Sequence, residues 1–105
     1  MTRFRLLYQN GAPVGFEISG HAMTGGAGKD ILCAAVSSAA YMTANTITDI
    51  LRIPADITVS GGLMRVAAAA DSPEKVQECK WLLEGLALHM EGLRKEYPEN
   101  IQIIT

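Results

Sequence analysis

Within Gly20–Ala40, read GHAMTGGAGKDILCAAVSSAA, a histidine (His21), a run of glycines, an aspartate (Asp30) and a cysteine (Cys33) precede an alanine-rich stretch. These residue types suit acyl transfer: a thiolate attacks a carbonyl, and an imidazole gives and takes the proton that each half of the reaction moves. The spacing predicts a helix from Asp30 to about Leu51, because Leu32, Val36, Ala40, Ile47 and Leu51 recur at three- and four-residue steps. With Asp30 as its cap, Cys33 is the third helical residue, where unpaired backbone N–H groups and the helix dipole stabilise a thiolate. His21 falls at the end of a strand, from which its ring can face that helix start across the glycine loop. Two readings of Cys33 stand on these residues alone: a reactive thiol paired with His21, or a small buried side chain in an alanine-rich helix.

Competing chemistries fail on spacing. GGAGKD has the look of a phosphate-cradling loop, but the positions that need a glycine and a magnesium-binding hydroxyl hold Met23 and Asp30, and a carboxylate there repels phosphate. Two cysteines and two histidines without a CxxC or HxxxH pair do not make a zinc site, so no metal or cofactor is expected. Cys79 falls in an apolar helical stripe and reads as core, and His89 lies beside that stripe as a surface residue. A redox-sensing thiol would want a resolving cysteine near Cys33, and none is near in sequence.

Two hairpins and two helices must position these groups. TRFRLLYQ and PVGFEISG flank Asn10-Gly11, a pair suited to the positive φ angles of a tight turn, and Val14, Phe16 and Ile18 give the second arm one apolar face. ADITVSGGLMRVAAAA repeats the pattern around Gly61-Gly62. Ser72-Pro73 then opens a second helix to about Lys95, with Val76, Cys79, Leu83, Leu86, Met90 and Leu93 as its stripe. Pro98 ends it, and NIQIIT reads as a final strand. The order ββαββαβ points to one domain over 1–105. We expect a two-layer α/β sandwich, with an antiparallel or mixed sheet carrying two long helices on one face.

The chain has 105 residues, 49% hydrophobic and 19% charged, with net charge −2, which fits one globular domain and gives no footprint for nucleic acid or anionic membrane. MTRFRLLYQNG has no apolar signal region, and the sequence reads as lacking an apolar run long enough for a membrane span; a cytoplasmic protein with reduced thiols is expected.

The run Gly20-His21-Ala22, followed by Gly28, Asp30-Ile31, Cys33 and Ser37, resembles the signature of the ribosomal-processing cysteine protease family, Prp. The match includes the twelve-residue step from His21 to Cys33. The resemblance implies a small ββαββαβ domain in which Cys33 is the nucleophile and His21 its base and acid partner. Asp30, Ser37, Gly20 and Gly28 are then supporting or substrate-binding positions. The implied substrate is the precursor of a large-subunit ribosomal protein, which loses a short N-terminal extension, and the implied assembly is a homodimer. Trp81, Leu82 and Leu88 beyond the main stripe could form its surface or pack on the sheet. In this scheme helix-start N–H groups hold the oxyanion, the glycine loop closes over an extended peptide, and Ser37 either bonds thiolate or substrate or simply packs. Asp30 caps the helix, orients His21 or orders the loop. Met23, Thr24 and Gly25 depart from the bulky residue and alanine that many relatives carry after the His-Ala pair, which bears on substrate fit. The alternative is a non-catalytic ribosome-associated or protein-binding module of the same fold, in which Cys33 is an ordinary thiol.

Overall fold

The computed structural model describes the backbone of residues 1–20 and 27–105, and the side chains of residues 1–20 and 31–105. Strand β1 (Thr2–Gln9) turns through Asn10 and Gly11, both at positive φ, into β2 (Ala12–Ser19). Both φ values suit the right-handed twist of the hairpin, as the Asn-Gly pair foretold. Helix α1 (Ala27–Asn45) follows, then one wide helical turn over Thr46–Ile50. β3 (Ala55–Ser60) and β4 (Leu63–Ala68) form the second hairpin, α2 (Pro73–Glu96) crosses back, and β5 (Ile101–Ile103) closes the chain. The expected ββαββαβ order is present.

Among the described residues, five strands make one mixed sheet in the order β3-β4-β2-β1-β5. β1, β2, β4 and β3 pair antiparallel, whereas β5 lies parallel to β1 with Thr2 opposite Ile101. On one face Phe4, Phe16, Ile18, Met64 and Val66 meet Leu32, Val36 and Ala40 of α1 and Cys79, Leu83 and Met90 of α2 in a single buried cluster. Burial of this apolar area is the main source of stability, at roughly 25 cal/mol per Å². On the other face Glu17 bridges Arg5 at 3.0 Å and Arg65 at 3.6 Å across three strands. Both arginines are well exposed to solvent, so these pairs order the face more than they stabilise it.

Ser72 caps α2 as expected, its hydroxyl accepting from the Lys75 N–H. α1 departs from expectation. It begins at Ala27, three residues before Asp30. Gly28 suggested a loop in the sequence because glycine is costly in a helix, yet the helix runs through it. The segment Ile31–Ile50 also has the length and hydropathy of a membrane span, contrary to the sequence reading. Its stripe Leu32, Val36, Ala40, Ala44 and Ile47 packs into the core, which identifies it as the central helix of the domain. At its end Thr43, Thr46 and Thr48 donate to the carbonyls of Ala39, Met42 and Ala44, and the Leu51 N–H reaches back five residues to Thr46. Such hydroxyl bonds satisfy carbonyls where the ladder widens. Arg52 then takes a positive φ of 56°, the place usually held by glycine after a helix.

The helices do not cover the whole sheet. Ile57 and Val59 of β3 pair with Val66 and Met64 of β4 and so share the apolar face. Val66 is fully buried, but Ile57 and Val59 are 46% and 56% exposed. The edge strand therefore overhangs α1.

Candidate active site

Cys33 lies on α1 between buried Leu32 and Val36 and is itself 5% exposed. Ser37 follows one turn later on the same helix face, because residues four apart stack along a helix. From Ser37 a groove of about 400 Å³ opens between α1 and the second hairpin. Its walls are Val36, Ser37, Ala40 and Tyr41 from α1, Ile18 from β2, and Val59 to Met64 from the hairpin. Among the described residues this lining holds no charged side chain.

β2 delivers the chain to the same end of the molecule. Ser19, its last residue, pairs with Arg3 on one side and Leu63 on the other, and Gly20 follows at φ +70°. A β-carbon at Gly20 would stand 2.3 Å from the Met1 carbonyl oxygen, so only glycine makes this exit from the sheet without displacing β1. His21 and residues 22–26 lie outside the described residues, as do the side chains of residues 27–30, Asp30 among them. The roles expected of His21, Asp30, Gly28 and the glycine loop fall there.

The helix start corrects one expectation. With α1 beginning at Ala27, Asp30 is its fourth residue rather than its cap, and Cys33 is its seventh. Only the first four N–H groups of a helix lack internal partners, so the Cys33 N–H belongs to the ladder and is no oxyanion donor of the helix-start kind. The dipole effect also falls off beyond the first turn.

The second cysteine is unlike the first. Cys79 is fully buried in α2, and that burial, followed by the Glu78 carboxylate, pushes its thiol above the ordinary range. It stays protonated at neutral pH, as the core reading requires. His89 is exposed and lines a separate groove between α1 and α2 with Trp81, Leu82 and Met42. Among the described residues no group of three His, Cys, Asp or Glu is placed to hold a metal ion.

The family profile described as Cysteine protease Prp matches residues 1–102. The chain belongs to the Prp cysteine protease family. It is similar to the ribosomal processing cysteine protease Prp of Bacillus subtilis (strain 168), 27% identical over 93 residues, which cover 86% of this chain and 83% of that protein. In fold it is similar to SMU.848 from Streptococcus mutans, with a TM-score of 0.83 at 25% identity over 98% of this chain and 95% of that one. It is also similar to the essential ribosomal processing protease Prp of S. aureus in complex with a substrate peptide, with a TM-score of 0.82 at 22% identity over 99% and 98% of the two chains. Membership in the Prp family makes this chain a cysteine protease rather than a non-catalytic module. The groove walls contributed by Tyr41 and by Val59 to Leu63 were not marked by the sequence. Gly61-Gly62 signalled a turn, and nothing local to it points toward α1.

Proposed function

We propose that this chain is a processing protease that removes a short N-terminal extension from a large-subunit ribosomal protein, with Cys33 as nucleophile and His21 as its proton-transfer partner. The observation that carries this is the position of Cys33 on α1, one turn before Ser37 at the edge of a groove, and within the stretch that matches the Prp family. The names of the Bacillus subtilis and S. aureus relatives support the substrate class. A further S. aureus structure, holding a covalently linked product peptide, supports nucleophilic catalysis in the family.

The Cys33 sulfur attacks the scissile carbonyl, and the tetrahedral intermediate collapses as His21 protonates the departing amine. His21 then takes a proton from water, which attacks the thioester and releases the acid and the free thiol. The oxyanion is held by donors other than the Cys33 N–H. The enzyme acts in the cytoplasm as a homodimer, and exposed Trp81, Met42 and Leu88 supply apolar surface for a second copy.

The test is incubation of the purified protein with the precursor ribosomal protein of the same genome, followed by intact-mass measurement. One shortened product, absent with Cys33→Ala, is expected. An uncut precursor would sink the assignment. Light scattering at two concentrations checks the dimer, and a monomer at both removes it.

A further inference from the structure

We propose that the sheet face opposite the helices binds the phosphate backbone of RNA through Arg3, Arg5 and Arg65. Side chains alternate along a strand, so the residues between Phe4, Phe16, Ile18, Met64 and Val66 point away from the core. Strand register sets them in rows. Arg3 stands opposite Ser19, which stands opposite Leu63, and in the next row Arg5 stands opposite Glu17, which stands opposite Arg65. With strands about 4.8 Å apart and alternate residues about 6.8 Å apart, the three arginine Cα atoms lie within about 12 Å of one another. All three residues are exposed.

The chain-wide charge balance hides this patch. The net charge is −2, yet the two rows hold three arginines against one carboxylate. Asp56, on the same face, lies one row further along, on the outermost strand. Glu17 is shared, 3.0 Å from Arg5 and 3.6 Å from Arg65, so it holds two guanidiniums side by side without neutralising both. Among the described residues no carboxylate pairs with Arg3. Its Nη1 lies 3.3 Å from the place a β-carbon at Gly20 would take, at the end of the sheet from which the chain leaves toward residue 21. Guanidinium forks match phosphate oxygens. Neither row holds an aromatic ring on which a base could stack, so the contacts go to phosphate and carry no sequence preference. RNA is the polyanion that fits, because the proposed substrate is a protein of the large ribosomal subunit, whose own partner is RNA. In that choice of polyanion the inference rests on the protease reading. Bound there, RNA keeps the enzyme where its precursor substrate assembles.

The experiment is fluorescence anisotropy of a labelled 20-nucleotide oligouridine titrated with the full chain at several salt concentrations. Binding is expected in the range of roughly 10–100 μM at low salt, and it should weaken with salt at about 0.7 logarithmic units per phosphate neutralised, for two or three phosphates. Arg5→Gln and Arg65→Gln together should weaken binding at least tenfold and flatten the salt slope, and Arg3→Gln should weaken it about threefold. Glu17→Gln, which removes the one acid in these rows, should tighten it. Lys75→Gln with Lys80→Gln, on α2, should change nothing. Circular dichroism confirms that each variant is folded. No binding by wild type at low salt, arginine variants that bind as wild type does, or a Glu17→Gln protein that binds no tighter would overturn the proposal. Arginine-dependent binding to phosphatidylglycerol vesicles with none to RNA would overturn it in favour of a membrane surface. Because the readout needs no peptide to be cut, a failure here leaves the protease assignment standing, and an uncut precursor beside normal RNA binding sinks that assignment alone.

Discussion

Gly20 passes so close to Met1 that a β-carbon at Gly20 would stand 2.3 Å from the Met1 carbonyl oxygen. The residue next to His21 is thus fixed against the first residue of the chain. Gly20→Ala should cost about 1–3 kcal/mol through its positive φ and the displaced backbone, and should lower peptide cleavage by more than the lost folded fraction explains. Gly11→Ala shares the positive φ but meets nothing within 4 Å, so it should lose stability alone. Thermal unfolding and hydrolysis of both variants check this. Equal activity would separate the Gly20 turn from catalysis.

The two cysteines should part company on substitution. Cys33→Ala is expected to abolish cleavage with little change in unfolding, because alanine suits a helix. Cys79→Ala removes a fully buried group and should cost on the order of 1 kcal/mol while leaving cleavage in place. The assay is peptide hydrolysis beside urea unfolding. An inactive but folded Cys79→Ala protein would reverse the roles.

His21→Ala removes the proposed imidazole beside Cys33. In a Cys79→Ala background, which leaves one thiol, iodoacetamide should alkylate Cys33 more slowly near neutral pH, and cleavage should fall at least ~100-fold. The two losses should appear together. Identical alkylation rates with and without His21 would uncouple the pair.

Stability should depend on alkaline pH through Cys79. Its folded thiol is raised by burial and by Glu78, so the folded state holds the proton more tightly than the unfolded chain. The resulting stabilisation is complete below the unfolded thiol pKa of about 8.5 and is lost as pH rises through the folded value. The stability gap between wild type and Cys79→Ala should therefore narrow between pH 7 and pH 10. Urea midpoints at the two pH values measure it, and a constant gap would contradict the buried-thiol account.

Arg52 holds a left-handed conformation at the end of the wide turn, and glycine adopts that conformation without strain. Arg52→Gly should raise stability by up to about 1 kcal/mol. A lower melting temperature would mean that the arginine side chain contributes more than its backbone strain costs.

The hairpins were legible in the sequence because Asn10-Gly11 and Gly61-Gly62 state their turns locally. The stripes of both helices were legible because burial writes a 3.6-residue period. The start of α1 was not. Asp30 after a glycine run has the chemistry of a cap, yet the helix continues through Gly28 to Ala27. The sheet order was hidden for a different reason, since pairing of β2 with β4 joins segments with a whole helix between them. Val59 and Tyr41 illustrate the same limit at the site. Each looks like an ordinary apolar residue on its own element, and only the overhang of β3 past α1 makes them two walls of one groove.

The outer edge of β1 is completed by β5, with Thr2 opposite Ile101, the Thr2 N–H bonded to the Asn100 carbonyl and the Ile104 N–H bonded to the Phe4 carbonyl. The first strand thus pairs with the last. β1 finds β2 across a two-residue turn, but its partner along Thr2–Phe4 lies about a hundred residues away in sequence. Closure of so long a loop is slow, so in refolding the β1 edge at Thr2–Phe4 gains its second partner after the two hairpins have formed.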